Sequence, residues 1–109
     1  MATTYKVLGQ LNPSATTAST LYTCPSSTEA IWSTLNVANL SSSAATFRIA
    51  VRPDGATLEN KHYLAYDVSI GANNSTALTL GGTLNAADVV TVYASNANLS
   101  FNLFGSEIA

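Results

Sequence analysis

Few side chains in this sequence are equipped for chemistry. There is one histidine, His62, in Lys61-His62-Tyr63, and one cysteine, Cys24, ahead of Pro25. A histidine acts as general base or ligand only beside a second group, and no other histidine or cysteine pair stands at metal-ligand spacing. His62 therefore reads as a surface or interface residue near a strand start. Cys24 has no cationic neighbour to favour its thiolate and reads as a small apolar residue at a strand end. The carboxylates are Glu29, Asp54, Glu59, Asp67, Asp88 and Glu107. Asp54 and Asp88 lie beside turns, where side-chain oxygens accept from backbone N–H groups. Nothing in the sequence pairs two carboxylates for glycoside chemistry. Gly81-Gly82 is not followed by Lys-Ser/Thr, so it is no phosphate cradle. The expectation is a protein without catalytic, cofactor-binding or metal-binding residues, and not an enzyme.

A second set of residues suits contact rather than catalysis. Arg48 and Arg52 are two of only four basic residues and fall on the outward face of one expected strand. Tyr63 and Tyr66 follow not far along the chain. Trp32 is expected to face outward from the neighbouring strand. Phe104 departs from the small polar pattern of Ser100 and Asn102 on its own outward face. Tryptophan, tyrosine and arginine are enriched in interfaces. These six residues form the candidate interface, with Trp32, Tyr63 and Phe104 as its anchors.

The elements that must position them follow a period of two. In 31–38, Ile31, Ser33, Leu35 and Val37 alternate with Trp32, Thr34, Asn36 and Ala38. In 45–52, Ala45, Phe47, Ile49 and Val51 point inward. Leu40-Ser41-Ser42-Ser43-Ala44 joins the two as the loop of an antiparallel hairpin. Further strands are expected over 5–11, 20–24, 61–70, 76–80, 89–95 and 99–103. In 61–70, Leu64, Tyr66, Val68 and Ile70 share one face and Tyr63, Ala65 and Asp67 the other; in 76–80, Leu78 and Leu80 point inward. Residues 84–88 allow one helical turn. Phe47, Ile49, Val51, Val90, Val92, Leu99, Phe101 and Leu103 form the expected core. About eight short strands with turn signals between them predict an all-β fold, an antiparallel, jelly-roll-like β-sandwich filling residues 1–109 as one domain.

Size and composition agree with this. At 109 residues the chain suits one domain. Apolar residues make up 47%, and charged residues only 9% against about 25% in an average domain. Ser, Thr and Asn, at 13, 14 and 10 residues, take over the surface. A net charge of −2 argues against nucleic acid as partner. The N-terminal residues lack a signal-peptide pattern. No stretch approaches the roughly 20 apolar residues of a membrane helix. Synthesis in a reducing cytosol is expected. A surface poor in Lys and Glu packs against copies or neighbours with little charge desolvation.

Three stretches carry a resemblance. The first is Tyr5-Lys6-Val7-Leu8-Gly9-Gln10 with Asn12-Pro13 and Leu21-Tyr22-Thr23. The second is Thr46-Phe47-Arg48-Ile49-Ala50-Val51-Arg52-Pro53 with Asn60-Lys61-His62-Tyr63-Leu64-Ala65-Tyr66-Asp67. The third is Asp88-Val89-Val90-Thr91-Val92-Tyr93-Ala94-Ser95 with Leu99-Ser100-Phe101-Asn102-Leu103-Phe104-Gly105. Together they resemble small structural proteins of tailed bacteriophages, including those of cyanobacterial and marine hosts. The resemblance implies a virion component, homo-oligomeric and bound to other virion proteins. The tail, baseplate or fibre attachment is the first placement, and decoration of the major capsid protein the alternative. A module binding host-surface carbohydrate is a further alternative, with Trp32 and Tyr63 or Tyr66 as its aromatics.

Overall fold

The computed structural model describes residues 2–79 and 81–109. Nine strands form among them: β1 (Thr3–Leu11), β2 (Ser19–Thr23), β3 (Glu29–Asn39), β4 (Ala45–Arg52), β5 (Tyr63–Ile70), β6 (Ser75–Leu78), β7 (Gly82–Leu84), β8 (Val89–Ala94) and β9 (Leu99–Ile108). Every pairing is antiparallel. The first sheet runs β1-β9-β3, with β6 and β7 both pairing β3 on its far side; the second runs β2-β8-β4-β5. β6 lies opposite residues 35–38 of β3 and β7 opposite residues 30–32, so the two share one lane. This is the strand order of a jelly roll, two sheets wound as paired Greek keys. The expected β-sandwich is present, with nine strands rather than about eight.

The core lies between the sheets. Val37, Leu99, Phe101 and Leu103 face it from the first sheet, and Phe47, Ile49, Val90 and Val92 from the second, all buried. Phe47 and Phe101 meet edge to face across it, ring centroids 6.3 Å apart, a favoured aromatic geometry. Of the expected core set, Val51 alone is only partly buried, at the margin. The expected inward Leu80 lies outside the described residues.

Four expectations about elements are corrected. Residues 40–44 do not close a hairpin: β3 and β4 belong to different sheets and face each other across the core. Alternation shows that a strand has one buried face, not which strand lies beside it. The crossing is held by buried Asn39. Its Nδ2 donates to the carbonyls of Ser43, Gly71 and Ile70 at 2.8, 3.2 and 3.3 Å. Its Oδ1 accepts from the backbone N–H and hydroxyl of Ser41 at 3.0 and 2.9 Å.

Second, the alternation of β3 reverses midway. Trp32 pairs Gly105 but Thr34 pairs Phe104, so Ser33 is an extra, bulged residue. Ala30 and Trp32 point inward before it and Leu35 and Val37 after it, while Ile31 is exposed. Third, residues 84–88 hold the end of β7 and a tight turn, with Ala87 at φ 72°, instead of a helical turn. The short 3-10 turns are Pro53–Gly55 and Asn60–His62. Fourth, β5 begins at Tyr63 rather than Lys61, and of the apolar face Leu64, Tyr66, Val68 and Ile70 just Ile70 is buried; the other three are exposed. β5 is an edge strand whose register against β4 shifts twice, so no single face meets the core.

Candidate functional site

The six candidate residues part into four places. Trp32 is buried, 4% exposed, so it is no surface anchor. The bulge at Ser33 turns it inward, and its indole lies on Gly82, where a Cβ would fall 2.1 Å from Nε1. Arg52 is spent inside the fold. Its Nε donates to Thr91 Oγ1 at 3.0 Å, and Nη1 donates to the carbonyls of Gly55 and Ala56 at 3.2 and 2.9 Å. These bonds fasten the 3-10 turn after β4.

Arg48, Tyr63 and Tyr66 do come together, on the outer face of the second sheet. Phe47 pairs Val68 and Ile49 pairs Ala65, which leaves both Tyr66 and Asp67 opposite Arg48. Asp67 adopts φ 50°, the left-handed region an aspartate tolerates better than most residues. Arg48 Nε donates to its Oδ1 at 2.6 Å and Nη2 to Oδ2 at 3.4 Å. The guanidinium also lies 4.2 Å from the Tyr66 ring centroid and 4.1 Å from that of Tyr93, within cation–π range of both. Tyr63 packs at right angles to Tyr66 with centroids 4.9 Å apart. Asn60, Tyr63 and Tyr66 border a shallow hollow beside this cluster.

Phe104 stands on the opposite side of the molecule, on the outer face of the first sheet. Tyr5, Ser106 and Ile31 form one row there, and Val7 and Phe104 lie side by side in the next. Tyr5 is 85% exposed and Val7, Ile31 and Phe104 about 40%. With Ser33, Gly105 and Ser106 they line a broad hollow. Farther along the same face the surface turns to amides, with Gln10 Nε2 donating to Asn102 Oδ1 at 2.7 Å.

The charge nearest this apolar patch is neutralised. Lys6 Nζ donates to Glu107 Oε1 at 3.1 Å, and the Tyr22 hydroxyl donates to Glu107 Oε2. The bond from Tyr22, and then the one from Lys6, hold the Glu107 carboxyl below its ordinary range despite partial burial. Burial first, and then the bond to Glu107, push the Tyr22 phenol up. Burial likewise pushes the Cys24 thiol up; it donates weakly to the Thr28 carbonyl at 3.4 Å. His62 is buried rather than at the surface, because its Nδ1 turns back to accept the Glu59 N–H at 3.0 Å and closes the 3-10 turn. Among the described residues, no three His, Cys, Asp or Glu side chains gather as a metal site would require.

No family model matches the chain, and no curated protein matches it. The two outer faces are therefore read on their own chemistry. Sequence reasoning missed Tyr93 and Asp67 on one face and Tyr5, Val7 and Ile31 on the other. Tyr93 carried a signal, since it lies directly across from Arg48 once β4 and β8 are paired. Ile31 carried none, because its exposure depends on the bulge that buries Trp32.

Proposed function

We propose that the chain is a non-enzymatic assembly subunit of a phage particle, placed first at the tail, baseplate or fibre attachment. The observation that carries this reading is the patch of Tyr5, Val7, Ile31 and Phe104 on the outer face of the first sheet. Fully burying a Val, Ile or Phe side chain is worth about 1.5–3 kcal/mol. Half that remains available at each of Val7, Ile31 and Phe104, and more at Tyr5. Around the patch are Ser33, Gly105 and Ser106, and Lys6 is already paired with Glu107. A partner can cover such a face without stripping water from an unpaired ion. The resemblance to phage structural proteins supports the same reading. The test is co-sedimentation with purified heads and purified tails of the phage whose structural genes neighbour this one. Retention on tails fits the first placement and retention on heads fits capsid decoration. Retention on neither, by a folded protein, overturns the reading.

The hollow beside Asn60 favours a second reading, a host-surface carbohydrate-binding module. Tyr63 and Tyr66 offer aromatic surface to a sugar ring, and Asn60 offers amide donors and an acceptor to its hydroxyls. Arg48 is already compensated by Asp67, so a neutral pyranose suits the place better than an anion. A two-dimensional amide NMR titration with neutral mono- and oligosaccharides tests it. Saturable shifts confined to Asn60, Tyr63, Tyr66 and Asp67 would support the module, and an unchanged spectrum would remove it.

A further inference from the structure

We propose that two copies of the chain join through the free edge of β1, paired antiparallel about a two-fold axis at Tyr5. The proposal rests on the assembly reading above and specifies one of its contacts.

The sandwich has four kinds of sheet edge, and three are poor templates. β5 is broken by two register shifts, with Asp67 at positive φ inside the one between Ala65 and Val68. β6 and β7 split one edge into pieces of four and three residues. β2 is five residues long with a register shift of its own. Interruptions of this kind are how proteins blunt an edge. β1 is nine residues long, and its pairing with β9 is unbroken from Thr3 to Val7. Its shift comes only between Val7 and Gly9. From Gly9 onward the strand is tucked against β2, where a Cβ on Gly9 would fall 2.3 Å from the Leu21 carbonyl oxygen.

Residues 3–7 differ in burial from the rest of β1. All five are exposed, including those on the face that elsewhere turns to the core. Among the described residues β1 pairs only with β9, so this stretch offers a free row of backbone donors and acceptors. A second sheet edge satisfies such a row directly.

Side-chain chemistry chooses the occupant and the register. A copy of β1 laid antiparallel with Tyr5 opposite Tyr5 places Thr3 opposite Val7 and Thr4 opposite Lys6. Facing aromatic and β-branched residues are favourable cross-strand neighbours. No like charges meet. Centring one residue later sets Lys6 against Lys6, a directly opposed like-charge pair. The Tyr5 centre also makes the patch continuous, because Tyr5, Val7, Phe104 and Ile31 lie on one face and the two-fold brings that face to itself on the joined sheet.

Cysteine cross-linking tests the register. Facing residues of an antiparallel pair have Cα atoms about 4.5–5.5 Å apart, within disulfide reach. Oxidised Tyr5→Cys should give a covalent dimer under native conditions. Val7→Cys alone should not, since its two copies would lie four residues apart along the pairing. Mixing Thr3→Cys with Val7→Cys should cross-link the two variants to each other and leaves the Tyr5 side chain in place. Cys24 is buried and does not compete. If the wild type associates or binds particles but neither Tyr5→Cys nor the mixture cross-links, the edge pairing is overturned and assembly stands. If cross-linking follows the Val7 site instead, the register is wrong. A wild type that neither associates nor binds particles removes the assembly reading and this contact with it.

Discussion

Glu107 carries the clearest titration consequence of any single residue. Its folded carboxyl is held below the ordinary range by Tyr22 and then Lys6. The stability it contributes is therefore present above the ordinary carboxylate pKa, and is lost as pH falls through the lowered folded value. Thermal melts across the acid range should show a loss that shrinks in Glu107→Gln and in Tyr22→Phe. An unchanged acid limb in both would contradict the cluster. Tyr22 has the opposite sense. Its phenol is pushed up, so its contribution holds below about pH 10, the ordinary tyrosine value, and fades as pH rises beyond. Tyr22→Phe should flatten the alkaline limb. Trp32 gives a second check. It is the single tryptophan, and buried, so its fluorescence should be blue-shifted and poorly quenched by acrylamide. Red-shifted, readily quenched emission would restore it as a surface residue. Sequence alternation placed Trp32 outward because counting by two cannot register an inserted residue. The resting place of Cys24 was legible, since a thiol without cationic neighbours packs as an apolar group. That of His62 was not, because its burial depends on a hydrogen bond to the chain three residues back.

Strands were the most legible elements, and their partners the least. Val90, Val92, Phe101 and Leu103 alternate without interruption, and they occupy the core as expected. The hairpin expected between residues 31–38 and 45–52 became a crossing between sheets, and its fastening by Asn39 had no sequence signal beyond a residue type common in this chain. Removing that amide strands three carbonyls and the Ser41 backbone N–H in the corner. A buried polar group left without its partner costs about 1–3 kcal/mol. Asn39→Ala should therefore destabilise by about 2–4 kcal/mol in chemical denaturation, with the fold retained. A loss below about 0.5 kcal/mol would show that the corner does not depend on it. Asn39→Asp should be similarly damaging, since it keeps the acceptor for Ser41 and loses the donors to Ser43, Ile70 and Gly71. The two arginines separate by their partners: Arg48 bonds Asp67 across strands, whereas Arg52 ties Thr91 of β8 to the turn that follows its own strand.

Across the whole molecule, few charges are left over to direct association. Three of the four basic side chains form ion pairs, Lys6 with Glu107, Arg48 with Asp67 and Lys61 with Glu59. The fourth, Arg52, is bound to the turn after β4. Exposed ion pairs contribute roughly 0–1 kcal/mol each and weaken with salt, while apolar contact and backbone pairing do not depend on them. The low charge was legible from composition, and the β-sandwich from the period of two. The exposed patch was not, because it requires two bulges, one in β1 and one in β3, to turn Val7 and Ile31 outward while Leu8 and Trp32 turn in. The central claim is that this face and its edge hold copies or neighbours together without ion pairs. Sedimentation velocity over a range of concentrations, at low ionic strength and at about 1 M salt where the Debye length is roughly 3 Å, tests it most directly. The wild type should associate equally in both, and Tyr5→Lys combined with Phe104→Ser should sediment as a folded monomer. A wild type that is monomeric at every concentration, or an association that dissolves at high salt, would contradict the account.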